Sequence, residues 1–144
     1  MRALFIAVFT LAACTTAPAP DAGGGSELAQ QIRADLSRLD GELAAEGVVA
    51  AGIGEAADLG GGLTIRPLEV IEDSRCPGNV VCVWAGRVRL RAEISGVARE
   101  LTLGETFETP HGAVTFAVAS PGAWNDWPER EIPRPAYRFG FRRA

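Results

Sequence analysis

Near the start of the chain, leucine and isoleucine recur every three or four residues. The apolar positions are Leu28, Ile32, Leu36, Leu39 and Leu43. This spacing places them in one stripe along a helix, and Ser26 is a good N-cap while Gly47 can end the last turn. The pattern predicts a helix over residues 27–47. A stripe of this length fits packing on the rest of the domain and equally fits binding a partner.

From about Val48 the hydrophobic period changes to two. The clearest run places Val88, Leu90, Ala92 and Ile94 between Arg87, Arg89, Arg91 and Glu93. Shorter alternations lie around residues 114–118 and 137–141, and Pro67 interrupts another over 63–70, which predicts an edge or bulged strand. The sequence therefore predicts a mainly β domain over 48–144, a small antiparallel β-sandwich or barrel with one N-terminal α-helix.

The composition fits one globular domain and narrows its chemistry. The chain has 144 residues, of which 47% are hydrophobic and 22% charged. Its 14 basic residues are all arginine and face 18 acidic ones, for a net charge of -4, so we expect no nucleic acid as a partner. With one histidine and no spacing typical of an acid/base pair or a ligand set, we predict no catalytic residue, no metal and no cofactor.

The N-terminus has the residue pattern of an export signal. Met1-Arg2 precedes the apolar residues 3–11, and small residues follow, so residues 1–13 are predicted to be a signal peptide. The segment Leu-Ala-Ala-Cys ending at Cys14 resembles the lipobox of bacterial lipoproteins. That resemblance implies acyl chains on Cys14 and a cell-membrane lipid anchor, on the outer membrane facing the periplasm in a host with two membranes. The alternative is an ordinary signal peptide with an incidental cysteine.

The segment after Cys14 is rich in proline, glycine and other small residues. Residues 14–26 cannot bury enough apolar area to offset the entropy of ordering them. We predict a spacer that holds the folded domain on the order of 20 Å from the membrane.

Two cysteines remain for the folded domain. In an exported chain, Cys76 and Cys82 are predicted to form a disulfide, and Pro77-Gly78 fits the turn that would bring them together. A redox couple or a metal site is the alternative, although redox pairs are usually closer in sequence and two cysteines with one distant histidine make a poor zinc set.

The cysteines belong to a longer signature. The residues Glu-Asp-Ser-Arg-Cys-Pro over 72–77 and Cys-Val-Trp-Ala-Gly over 82–86 resemble a family of small bacterial secreted proteins and lipoproteins of uncharacterised activity. The resemblance covers roughly residues 54–142 and leaves out the predicted helix. It implies membership of that family but no function.

Three groups of residues are candidates for binding. The first is a ligand-facing cluster of Glu72, Asp73, Arg75 and Trp84; the second is an anion-binding face of Arg87, Arg89 and Arg91, joined by Arg138 and Arg142; the third is a platform of Trp124 and Trp127. Each also has a structural interpretation: turn formation for the first, a solvated sheet face for the second and a cap on the sandwich for the third.

These observations favour a cell-envelope lipoprotein that acts as a non-enzymatic binding module. Its partner would be an envelope protein, a cell-wall polymer or an anionic lipid. The alternatives are a small hydrolase or inhibitor-like protein using the region from Asp73 to Arg75, and a metal-handling lipoprotein. A cleft that joins Glu72, Asp73 and His111 would favour the hydrolase, and a flat Arg face with exposed Trp124 and Trp127 would favour the binding module.

Overall fold

The computed structural model describes residues 26–144. The predictions about the signal peptide, the acylation of Cys14 and the spacer fall on residues 1–25 and lie outside the described residues. Helix α1 spans Glu27–Leu43, and the Ser26 hydroxyl accepts a hydrogen bond from the Ala29 N–H at 3.2 Å, as an N-cap does. The helix ends earlier than predicted, and Gly47 adopts a positive φ of 79° in the turn that leads into the first strand.

Within residues 26–144, eight strands form two antiparallel four-stranded sheets. The strands are β1 (Val48–Gly52), β2 (Ala57–Asp58), β3 (Thr64–Asp73), β4 (Val88–Ile94), β5 (Val97–Thr102), β6 (Thr106–Phe107), β7 (Val114–Ser120) and β8 (Arg138–Arg143). The first sheet has the order β1-β8-β7-β6 and the second the order β2-β3-β4-β5. The prediction of a mainly β fold with one N-terminal helix is confirmed, and the two separate sheets make it sandwich-like.

The main core lies between the two sheets. Both contribute fully buried side chains, including Leu63, Ile65, Val88, Leu90, Phe116, Phe139 and Phe141. The Phe116 ring lies 5.4 Å from that of Phe141 and 5.9 Å from that of Phe139. The alternating residues of β4 therefore face inward as their pattern predicts.

Helix α1 covers the outer face of the first sheet. Leu39 and Leu43 pack against Val118, so β7 is buried on both faces. Beneath the helix lies Gly140, where an added Cβ would come within 2.8 Å of Val48 and 3.2 Å of Leu43. The absence of a side chain at this position lets the helix approach the sheet closely, so the predicted helix packs on its own domain.

Pro67 lies in the part of β3 that borders only one strand. Strand β2 pairs with β3 only as far as Ile65, and beyond it β4 is the only strand of residues 26–144 that pairs with β3. The register shifts between Pro67 and Glu69 and again between Val70 and Glu72. Because proline cannot donate to a strand ladder, an edge with a bulge accommodates it, as predicted.

Candidate functional site

The hairpin between β3 and β4 extends well beyond its strands. Residues 74–87, here called the disulfide loop, keep two backbone hydrogen bonds near the base, from Ser74 N to Arg87 O and from Cys76 N to Ala85 O, both 2.9 Å. Gly86 adopts a φ of 68°, and a Cβ there would lie 1.7 Å from the Ser74 carbonyl oxygen. Only glycine therefore fits this close crossing of the two arms.

A disulfide closes the outer part of this loop. The Cα atoms of Cys76 and Cys82 lie 5.8 Å apart and their sulfur atoms are bonded. The disulfide predicted from the sequence is therefore confirmed. The cross-link restricts the conformations of the segment between the two cysteines, which carries Val80 and Val81, while Val83 and Trp84 follow Cys82 directly.

Four apolar side chains at the end of the loop point into solvent. They are Val80, Val81, Val83 and Trp84, here called the apolar tip. Val81 is fully exposed, Val83 is 89% exposed and Trp84 is 81% exposed. No charged residue occurs between positions 76 and 86. A monomeric protein rarely exposes contiguous apolar side chains without a binding role, so the tip is the most unusual surface feature of the described chain.

The base of the disulfide loop is tied to the rest of the domain by Arg75. Its guanidinium forms a two-pronged ion pair with Asp73, at 2.9 Å from Nε and 2.7 Å from Nη2. It also donates to the carbonyl oxygens of Ala119 at 2.9 Å and Pro121 at 2.7 Å. Four of its five N–H groups are therefore engaged, and they connect the loop to the end of β7.

Tyr137 completes this cluster from the start of β8. Its hydroxyl donates to the Asp73 carboxylate at 2.6 Å. Partial burial by itself would raise the pKa of Asp73, but the hydrogen bonds from Arg75 and Tyr137 outweigh it and the pKa is lowered. Burial and the bond to Asp73 raise the pKa of Tyr137. At neutral pH the cluster is therefore an ionised carboxylate held by two donors.

The disulfide loop also rests on the loop after β7. The side chain of Asn79 accepts from Asn125 N and donates to Asn125 O, both at 3.0 Å, and Gly78 N donates to Ala123 O at 2.8 Å. Trp124 lies so close that a Cβ at Gly78 would come within 2.8 Å of its ring. These contacts hold the root of the apolar tip on two sides.

The two tryptophans of the loop after β7 serve as packing residues. Trp127 is 8% exposed, packs against α1 and donates from Nε1 to Ile132 O at 2.7 Å. Trp124 is partly buried and donates to Asp35 of α1 at 3.0 Å. Neither ring lies free on the surface, so the described geometry favours a packing role against α1 over an exposed binding platform.

Acidic partners accompany the three arginines of the predicted Arg face that lie in or next to β4. Glu72 lies 3.1 Å from Arg87 and 3.5 Å from Arg89, and Glu69 lies 2.6 Å from Arg91. Arg89 also pairs with an acidic residue of β5, Glu100. Hydrogen bonds from the Ser74 hydroxyl and from Arg87 lower the pKa of Glu72. The charges balance locally, which favours the solvated-face interpretation.

Two groupings expected from the sequence are not brought together. Arg138 and Arg142 belong to β8 and therefore lie in the other sheet from the arginines of β4, which corrects the predicted single Arg face. Glu72 and Asp73 are neighbours along β3 but point to different sides, so Glu72 joins Arg87 and Arg89 while Asp73 joins Tyr137.

Neither Trp84 nor His111 joins the Asp73 cluster. Trp84 projects into solvent with the apolar tip, whereas His111 lies in the loop before β7, beside Gly62. Asp73 and Arg75 line a cleft of about 300 Å³ together with Trp124, Arg134 and Tyr137. The cleft that would have favoured a hydrolase, joining Glu72, Asp73 and His111, does not form among the described residues.

Sequence reasoning missed Tyr137 and three of the four residues of the apolar tip. Tyr137 lies 64 positions from Asp73, and no local pattern connects them. The sequence does contain a signal for the tip, because Val80, Val81 and Val83 interrupt a segment otherwise typical of a turn. Val80 and Val81 lie inside the small ring closed by Cys76 and Cys82, which has no room for them to fold inward.

No protein-family model, curated protein or solved structure matches this chain. Among residues 26–144, no helix is both long and apolar enough to cross a membrane. Within the same residues, no three or more histidine, cysteine, aspartate or glutamate side chains are grouped so as to hold a metal ion.

Proposed function

We propose that this protein is an exported, lipid-anchored binding module that acts without catalysis and engages its partner through the apolar tip. The observation that carries the proposal is the exposure of Val81, Val83 and Trp84 on a cross-linked loop. The lipobox at Cys14 supplies the anchor, and the spacer after it gives the domain reach along the envelope.

The energetics of the tip support a binding role. Each valine or comparable side chain contributes roughly 1.5–3 kcal/mol when it moves from water into an apolar site. Burying the three nearly fully exposed side chains against a partner would therefore contribute several kcal/mol of binding free energy, because folding leaves them in water. Tryptophan is also the residue type most enriched among those that dominate binding interfaces. The tip thus has the composition of a small interface core.

The neighbouring polar groups fit a supporting role. Arg75 and Asp73 satisfy each other, and Tyr137 directs its hydroxyl at the same carboxylate. A general base or nucleophile needs a free lone pair directed at a substrate, whereas here the carboxylate accepts from two side chains. The cluster is better suited to positioning the disulfide loop than to chemistry.

Anchoring and docking are tested separately on the full chain purified from its host. Intact mass establishes whether Cys14 carries acyl chains, and a thiol assay establishes whether Cys76 and Cys82 are oxidised. An unmodified Cys14 would overturn the anchor.

Docking is then measured as the sedimentation coefficient of the full chain extracted in mild detergent. The test variant is Val81→Ser/Val83→Ser. The matched control is Val97→Ser, another exposed valine in a hairpin, at the opposite end of β4 and about 20 Å away. We expect the wild type and the control to sediment as a larger complex that the double variant lacks. Equal sedimentation of all three would overturn docking through the tip.

A further inference from the structure

We infer that the apolar tip docks into a depression on a partner protein. This depression takes the Trp84 ring and the valines and offers backbone hydrogen-bond acceptors at its rim. This inference rests on the proposed function and deepens it by naming the class of partner. The alternative occupant of an exposed apolar loop on an anchored protein is the lipid bilayer. Three features of the disulfide loop favour the protein.

The first feature is the unpaired backbone of the tip. Within the described part of the chain, the N–H groups of residues 81–84 donate to no protein acceptor, while the N–H groups of Val80 and Cys76 are paired. The hydrocarbon of a bilayer offers no acceptors, so inserting these groups would leave them unsatisfied. The edge of a partner's strand or loop supplies carbonyl oxygens at the spacing a peptide segment requires.

The second feature is the charge around the root of the loop. Loops that enter an anionic membrane surface are flanked by free basic side chains. The two arginines that flank this tip are both paired, Arg75 with Asp73 at 2.7 Å and Arg87 with Glu72 at 3.1 Å. The chain as a whole carries a net charge of -4. An anionic lipid surface would therefore attract this end of the domain weakly.

The third feature is the rigidity of the loop. The disulfide closes it, the Asn79–Asn125 pair holds one side, and the Arg75 contacts hold its base. Ordering a segment before binding removes much of the entropy lost on association with a shaped protein surface. A fluid bilayer has no fixed shape to match, so it gains little from a tip of fixed geometry.

The lipid alternative is tested on the full acylated chain in vesicles of phosphatidylethanolamine and phosphatidylglycerol. Acyl chains brominated at defined depths quench tryptophan fluorescence by contact. Trp84→Phe removes the exposed indole and its fluorescence but keeps an aromatic ring, so the difference between wild type and variant isolates Trp84 from Trp124 and Trp127, which are partly or fully buried. We expect no quenching attributable to Trp84. Quenching that disappears in Trp84→Phe would overturn this inference.

The protein alternative is tested by photo-crosslinking in intact cells of the host. A photoreactive amino acid replaces Val83 in the full chain, and the control places it at Val97. We expect position 83 to crosslink to one segment of one protein and position 97 to give none of that product. Adding Trp84→Ser to the position-83 chain should lower the yield about tenfold, as expected for loss of a tryptophan that anchors an interface.

The outcomes separate this inference from the proposed function. Crosslinks from position 83 to phospholipid would overturn the protein partner and leave docking by the tip intact. Crosslinks spread over many proteins and insensitive to Trp84→Ser would overturn the shaped depression. Equal yields at positions 83 and 97 would overturn both the inference and the proposed function.

Discussion

Replacing Arg75 by methionine tests the idea that one guanidinium fixes the position of the disulfide loop. Methionine keeps an unbranched apolar stem but has no N–H group to donate. The change removes the two-pronged bond to Asp73 and leaves the carbonyl oxygens of Ala119 and Pro121 without this donor. The Asp73 carboxylate keeps the hydroxyl of Tyr137 at 2.6 Å and the backbone N–H of residue 75 at 3.4 Å.

The expected loss of stability follows from how much water reaches the pair. The side chains of Arg75 and Asp73 are 17% and 16% exposed, so solvent screens their interaction only partly. Breaking a fully buried pair costs about 3–5 kcal/mol, while an exposed pair is worth about 0–1 kcal/mol. Geometry this close to the buried limit gives an expected loss of about 3 kcal/mol. The matched control, Arg91→Met, breaks an exposed pair with Glu69 and should cost less than about 1 kcal/mol.

The measurement is urea unfolding at neutral pH, followed by tryptophan fluorescence because Trp127 is buried. With a slope of about 1–3 kcal/mol per molar, a loss of about 3 kcal/mol lowers the midpoint by about 1–3 M. The slope itself should not change. Equal midpoints for Arg75→Met and Arg91→Met would refute the argument, because the Arg75 pair would then be screened as fully as one on the surface.

Three further changes probe the same framework. Tyr137→Phe should cost about 1.5–3 kcal/mol in chemical unfolding, the worth of a hydrogen bond to a charged group. Tyr137→Phe should also remove part of the pH dependence of stability. The lowered pKa of Asp73 stabilises the folded protein above the ordinary pKa near 4, and this stability is lost as the pH falls through the lowered pKa. The raised pKa of Tyr137 stabilises the folded protein below about pH 10, and this stability is lost as the pH rises through the raised pKa. Stability that falls as steeply with acid in the variant as in wild type would count against the Asp73 assignment. Gly140→Ala should cost about 1–3 kcal/mol by forcing the helix from the sheet; a thermal midpoint at or above wild type would show that the helix yields easily. Cys76→Ser/Cys82→Ser should cost roughly 2 kcal/mol, and an unchanged midpoint would show that the loop is held without its cross-link.

The sequence determined the parts of this protein in which neighbours along the chain share one environment. The three-to-four residue spacing from Leu28 to Leu43 sufficed for α1, and the alternation over residues 88–94 sufficed for β4, because each element exposes one face to a core. The disulfide followed from two cysteines six positions apart on either side of a Pro-Gly turn.

Tertiary structure decided which distant residues meet. The pairing of Asp73 with Tyr137 and of Trp124 with Asp35 spans 64 and 89 positions, and no local pattern encodes contacts at such distances. It also decided how charge is distributed: three arginines that suggest an anion site in sequence lie beside glutamates of neighbouring strands. Sequence periodicity predicts which face of a strand is exposed to solvent, but strand pairing decides which residues of neighbouring strands lie beside that face. The exposure of Trp84 has the same origin, since an indole is buried or solvated according to whether another element reaches it, and no element within residues 26–144 reaches the end of this loop.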